Sequence, residues 1–441
     1  MAKKETEESD AGGGKPGMKK WIIILIAIIL AGATSSGAIA GHIYYKEMKT
    51  YEDYDKKELQ VNGIENIFID SDVPVNIKAT QGPAYVEFNQ RFTDVIGKAP
   101  TYKLEVETKE SIAYITLKQK SKVDLCLPVI KENKAFCTVY LPPMTINKLS
   151  LEGPLNYSWD WDQLEDADFD FKDINIKELV VNIGSRGDIY LDGNYEKVDI
   201  NMGEGKLEMN SKLPSDVKID GDMACKFTGV YNKINVQGHR EISVDSKTPA
   251  EVSIEGNGNI MLNGSYKQID IKGPGSPDIA IKSDTLCEAN VYTDQGNVKI
   301  QGAIQAMTVK TENFGQVDIN TTVIPKRINI LGNCNDVKLM LPSNIPGIEV
   351  TYNNDYFKEQ NNNGYRENDS QENYSGEQQQ IISDYKMKKN LTEDNVTREI
   401  YRDASTKILL EASVDNSIYI LDNGYISHTA GAQETVKKQS K

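Results

Sequence analysis

Gly193-Asn194-Tyr195-Glu196-Lys197-Val198-Asp199-Ile200 returns as Gly229-Val230-Tyr231-Asn232-Lys233-Ile234-Asn235-Val236, and again as Gly264-Ser265-Tyr266-Lys267-Gln268-Ile269-Asp270-Ile271. Each copy holds a glycine, a tyrosine two residues later, and then two branched apolar residues separated by one polar residue. The closing pattern has period two, which marks a short strand with one buried face. Gly193, Gly229, Gly264 and Gly302 lie 36, 35 and 38 residues apart, and Pro214 and Pro249 mark a second phase spaced by 35.

Outward from these copies, the apolar pairs recur on a shorter step. Their first members are Val139, Leu149, Trp159, Phe169, Leu179, Ile189, Val198, Leu207, Val217, Cys225, Ile234, Ile242, Val252, Ile260, Ile269, Ile279, Ala289, Val298, Met307, Val317, Ile328 and Val337, in steps of 8 to 11 residues. The superperiod therefore spans four strands. Between strands stand residues that reverse the chain at low cost, as in Gly203-Glu204-Gly205 and Gly256-Asn257-Gly258-Asn259. The spacing predicts an all-β fold, a parallel β-solenoid of short strands with about two strands per coil. A β-propeller is the alternative. Its blades are antiparallel meanders of longer strands, whereas most strands here offer only three or four residues before a turn residue.

The N-terminus adds one further element. Trp21 to Ala40 is uncharged over twenty residues, follows Lys15, Lys19 and Lys20, and precedes Tyr44 and Tyr45. It is long enough to span a bilayer, and the lysines before it keep that end inside. The chain is read as a single-pass protein of the cell membrane, with residues 1–20 a cytoplasmic tail, 21–41 a transmembrane signal-anchor and 42–60 a stalk. Cleavage after Ala38-Ile39-Ala40, with Gly41 as the new N-terminus, is the competing reading. Gly37 and Gly41 form a G-x-x-x-G spacing that could pack two such helices into a homo-oligomer. The exported remainder divides into an irregular β cap (61–138), the repeats (139–351), an Asn/Gln-rich disordered insertion (352–400), a terminal β-coil (401–425) and a disordered tail (426–441).

Composition excludes some partners. Of 441 residues, 39% are hydrophobic and 26% charged, enough for a core, and the net charge of −15 argues against nucleic acid. Cys126, Cys137, Cys225, Cys287 and Cys334 are an odd, widely spaced set without metal-ligand spacing, so no disulfide scaffold or metal site is expected; only Cys126 and Cys137 are near enough in sequence to bridge neighbouring strands.

Thr138-Val139-Tyr140-Leu141-Pro142, the texture from Leu213 to Gly229, and Leu341-Pro342-Ser343-Asn344-Ile345-Pro346-Gly347-Ile348 resemble the bacterial putative-adhesin family of β-strand-repeat cell-surface proteins, over about residues 61 to 425. The resemblance implies an extracytoplasmic role without a known reaction. It fits a surface adhesion or scaffold module for an unknown glycan or protein ligand, with a sensor of envelope stress acting through the membrane helix as the alternative.

Chemistry is sparse. With only His42, His239 and His428, no Ser/His/Asp triad assembles, and no cofactor or metal site is expected. The densest acidic group, Asp160, Asp162, Glu165, Asp166, Asp168 and Asp170, could serve a polysaccharide lyase or hydrolase as acid and base. Alternation with the ladder residues makes it a solvated face instead. Tyr157, Trp159 and Trp161 are candidates for stacking a ligand, although the same register turns them toward the core.

Overall fold

A computed structural model describes residues 49–95, 100–121, 133–153, 167–171, 174–353, 380–393, 396–403, 405–414 and 417–424. The membrane segment 21–41 with Gly37 and Gly41, the aromatic trio Tyr157, Trp159 and Trp161, and Cys126 lie outside these residues. The strands are β1 Lys49–Glu58, β2 Asn66–Ser71, β3 Val75–Ala79, β4 Tyr85–Val95, β5 Thr101–Lys109, β6 Ile112–Ser121, β7 Asn133–Leu141, β8 Met144–Glu152, β9 Ala167–Asp170, β10 Ile174–Gly193 and β11 Lys197–Gln237. There follow β12 Ile242–Glu255, β13 Ile260–Gly273, β14 Ile279–Thr293, β15 Val298–Thr321, β16 Arg327–Leu341, β17 Gly347–Asn353, β18 Gln380–Ser383, β19 Lys388–Glu393, β20 Val396–Arg402, β21 Thr406–Val414 and β22 Ser417–Asp422. No helix occurs among the described residues.

The chain forms two compact units. One comprises Met1–Asp53, Gln90–Thr101 and Lys120–Lys134, and within it the buried Gln90 amide donates to the Pro100 carbonyl at 2.7 Å. The other comprises Tyr54–Asn89, Tyr102–Gln119 and Ala135–Lys441, and everything below belongs to it.

The second unit is all-β, and its pairing is mostly parallel. Leu179 pairs with Val198 and Ile189 with Leu207, and every later partner lies 16 to 21 residues further along the chain. Successive apolar pairs therefore alternate between two ladders. Ladder A carries Phe169, Ile189, Leu207, Cys225, Ile242, Ile260, Ile279, Val298, Val317 and Val337, and ladder B carries Leu149, Leu179, Val198, Val217, Ile234, Val252, Ile269, Ala289, Met307 and Ile328; all are buried. Antiparallel blades would have paired strands about nine residues apart, so the propeller alternative fails on pairing direction and spacing.

The four-strand superperiod has a packing cause. Where ladder A turns into ladder B, Tyr195, Ser215, Tyr231, Ala250, Tyr266, Cys287 and Ile304 stack in buried succession, bulky on small. Adjacent coils that both carried a ring would overpack, and two small residues would leave a void. Tyr266 Oη donates to the Val244 carbonyl at 2.8 Å and sits 2.9 Å from that of Asn263, and Tyr231 Oη repeats this on Met209 at 2.9 Å and Thr228 at 2.8 Å. The intervening coils use hydroxyls instead. Thr285 Oγ1 donates to the Tyr266 carbonyl at 3.0 Å, and Thr248 Oγ1 to that of Tyr231 at 3.0 Å. The glycine of each copy is required, because Gly264 has φ +125° and a Cβ there would stand 2.3 Å from the Ser246 carbonyl oxygen.

The ends follow another rule. β2 pairs in parallel with β6 on one side (Ile67 with Ala113) and β8 on the other (Ile67 with Leu149), while β3 lies between β7 and β9. The coil of β2 and β3 thus lies inside that of β6 and β7, although it precedes it in sequence, and β4 and then β1 extend the sheet beyond β7. The expected closing coil behaves likewise, since β21 lies between β16 and β17, and β22 between β16 and β18. That coil sits one level inside β17 and β18, and antiparallel β20 and β19 extend the sheet beyond β17. Within the stretch expected to be disordered, residues 380–393 and 396–400 are mostly strand.

Candidate functional site

An outward row runs along ladder A, one residue after each buried first member. Tyr140 pairs with Lys78, Ile77 pairs with Phe169 and so sets Lys78 beside Asp170, Tyr190 pairs with both Asp170 and Glu208, and Lys226 follows on the next coil. At its N-terminal end the row continues into tyrosines. The Tyr85 and Tyr140 rings stack at 4.3 Å, Lys56 Nζ lies 3.6 Å from the Tyr85 centroid, and Tyr54 Oη donates to Glu87 at 3.1 Å. Desolvation and then the Glu87 carboxylate raise the Tyr140 phenol above its ordinary value. Tyr54 and Tyr190 are 56% and 49% exposed, a large apolar investment for solvent-facing positions.

Beside this row lies a groove of about 680 Å³ lined by Asp170, Tyr190, Glu208 and Lys226 from one row and Asp192, Asn210 and Thr228 from the next. Phe171, Ile174, Asn175, Leu191, Gly193, Asn194, Met209 and Lys212 complete its walls. Much of its charge is compensated locally. Asn210 Nδ2 donates to Asp192 at 2.9 Å, Lys212 Nζ lies 3.3 Å from the same carboxylate, and Lys206 hydrogen-bonds Glu208 at 2.5 Å and holds it below the usual carboxylate range.

Tyr195 lies under this groove and differs from its two relatives. It is fully buried, and its hydroxyl has no hydrogen-bond partner. The carbonyl equivalent to those that Tyr231 and Tyr266 use belongs to Phe171, and it accepts from the Ile174 N–H at 3.0 Å instead. The Tyr195 ring packs against Gly193, which lines the groove; a Cβ there would stand 3.8 Å from the Tyr195 hydroxyl.

Another charged group is paired within the stack. At the opposite corner Glu204 bridges Arg186 and Arg240, and Arg240 also lies 3.4 Å from Asp222, with the exposed His239 beside it. Cys137, Cys225, Cys287 and Cys334 are buried thiols, none in a disulfide, and burial pushes Cys137 and Cys225 up to about 12. Among the described residues no cluster of metal-ligating side chains occurs.

Of the acidic group, Asp170 is exposed as its alternation requires, and it lines the groove. Tyr190, Asp192, Glu208 and Asn210 were not singled out from the sequence. The signal was present in Ile189-Tyr190-Leu191-Asp192, whose alternation faces Tyr190 and Asp192 outward, but the stacking distance of 18 residues that brings Glu208 beside Tyr190 needed the pairing.

No protein-family model matches the sequence, and no curated protein does. Among solved structures the chain is similar to a putative cell adhesion protein from Clostridium sporogenes ATCC 15579, with 11% identity and a TM-score of 0.19 over 85% of this chain and 100% of the other.

Proposed function

We propose that the chain is a membrane-anchored surface protein whose extracytoplasmic part is a parallel β-solenoid of two strands per coil, acting as an adhesion or scaffold module with no reaction of its own. One observation carries this reading: the row from Tyr54 to Lys226 sets exposed aromatic and charged side chains from distant parts of the sequence side by side on a hydrogen-bonded ladder. Such a surface is pre-organised, so little conformational entropy is lost when a ligand settles on it. The uncharged stretch Trp21 to Ala40 supports retention in a membrane, and the lysines before it support export of the rest.

The test uses the full chain with a C-terminal tag in a bacterial host. The tag should be removed by protease added to intact cells, the chain should stay with membranes at alkaline pH, and cells bearing it should adhere to glycan- or matrix-coated surfaces more than cells without it. A tag protected from protease, or no gain in adherence on any surface, contradicts the proposal. Deleting residues 1–20 should leave adherence unchanged, whereas a stress-response phenotype that vanishes with that tail would favour the sensor reading.

A further inference from the structure

We infer that the groove beside Tyr190 is a binding site for a neutral sugar chain. The inference rests on the adhesion reading and names the ligand class for it. The volume of about 680 Å³ falls among small-ligand pockets, and the groove combines one half-exposed aromatic ring with carboxylates and side-chain amides. A sugar ring presents an apolar C–H face and a rim of hydroxyls. Tyr190 offers the surface for the first, and Asp192 and Asn210, paired on adjacent coils, together with Glu208 two residues before Asn210, offer acceptors and a donor for the second.

The charge pattern selects against other ligands. Asp192 is already held by Lys212 and Asn210, and Glu208 by Lys206, so a cation would have to compete with ammonium groups in place. An anion would meet Asp170 and Glu208 in one row and Asp192 in the next, three carboxylates against the two lining lysines Lys212 and Lys226. A neutral hydroxyl does neither, because a carboxylate oxygen bonded to lysine still has lone pairs to accept from it. The Tyr195 hydroxyl, unpartnered behind Gly193, is a second sign that this end of the stack is built differently from its repeats.

The experiment titrates the full chain, reconstituted in lipid nanodiscs, with neutral tetrasaccharides of glucose, galactose and N-acetylglucosamine, and in parallel with sialylated and chitosan tetramers. Saturable binding of at least one neutral probe is expected. Tyr190→Ala should weaken it roughly tenfold, the loss of one stacking contact. Asp192→Ala should weaken it similarly, and Met261→Ala, on the same outward row beyond the groove, should change nothing. Circular dichroism verifies that the variants fold. No saturable neutral binding, binding only of the charged probes, or neutral binding indifferent to both Tyr190→Ala and Asp192→Ala overturns the inference. If cells still adhere through the chain while these variants have no effect, only the groove assignment fails; if cells bearing the chain never adhere, the adhesion reading fails with it.

Discussion

From Leu179 to Val337 the chain lays its coils in the order of its sequence, whereas towards either end an interior segment is laid outside the first or last coil, β6 and β7 outside β2 and β3, and β17 and β18 outside β21 and β22. The difference teaches how a parallel stack manages its ends. A coil at the edge is bonded on one side only, frays easily and offers its open ladder to other chains. A coil one level in is bonded on both sides and must break two ladders to leave. Pairing Ile328 with Ile408 closes a separation of 80 residues in place of the usual 16 to 21, yet that greater length adds only about 1 kcal/mol of loop entropy.

The largest effects should come from treating the two regions alike. Removing residues 404–441 strips out buried Ile408, Leu410, Val414, Ile418 and Ile420, on the order of 10 kcal/mol of apolar burial. Amide-exchange protection should then collapse in β16 and β17. Excising Val230–Gly264 from the middle joins Gly229 to Ser265-Tyr266 and preserves the alternation of large and small. It should leave a cooperative melt within a few degrees of the parent. Excising only Val230–Ser246 sets Ser215 against Ala250, and the missing ring should cost about 3 to 5 kcal/mol. Equal melts for the two excisions would remove the two-coil unit from the account.

Within the middle, a smaller contrast concerns one oxygen atom. Tyr231→Phe and Tyr266→Phe each delete a hydroxyl engaged with two carbonyls and should each lower stability by about 1 to 2 kcal/mol in urea titrations. Tyr195→Phe deletes a hydroxyl with no partner and should be neutral or slightly stabilising.

The smallest effect belongs to the outer row of ladder B. A hydrogen bond from Lys148, aided by Lys197, holds Glu178 below its ordinary range. A depressed carboxyl contributes stability above its unfolded value near 4.3, and that stability is lost as pH falls through the lower folded value. Solvent screening limits the contribution to a few tenths of a kcal/mol. Glu178→Gln should therefore erase a slight acid-side slope in the melting temperature and leave neutral pH almost unchanged.

How far the sequence discloses this molecule follows the same division. The middle is legible because each strand pairs with one about 18 residues away, so period, ladder and buried face all appear locally, down to the tyrosine that marks every second coil. The ends are not, because Ile67 beside Ala113 and Leu149, or Ile408 beside Ile328 and Val350, leaves no local period to read. The groove falls between these cases. Asp170 and Tyr190 were readable as outward residues, but their assembly with Glu208 and Lys226 depends on stacking.

The order of coils at the C-terminal end can be tested with paired cysteines at outward register positions, oxidised in the full chain and read by mass spectrometry. Asn329→Cys should bridge Leu409→Cys, and Thr351→Cys should bridge Leu409→Cys, since both residues flank Leu409 in parallel register at a spacing a disulfide can span. Asn329→Cys with Thr351→Cys should not react. Efficient bridging of Asn329→Cys to Thr351→Cys, with none to Leu409→Cys, would mean that the coils stack in sequence order to the end and would contradict the account.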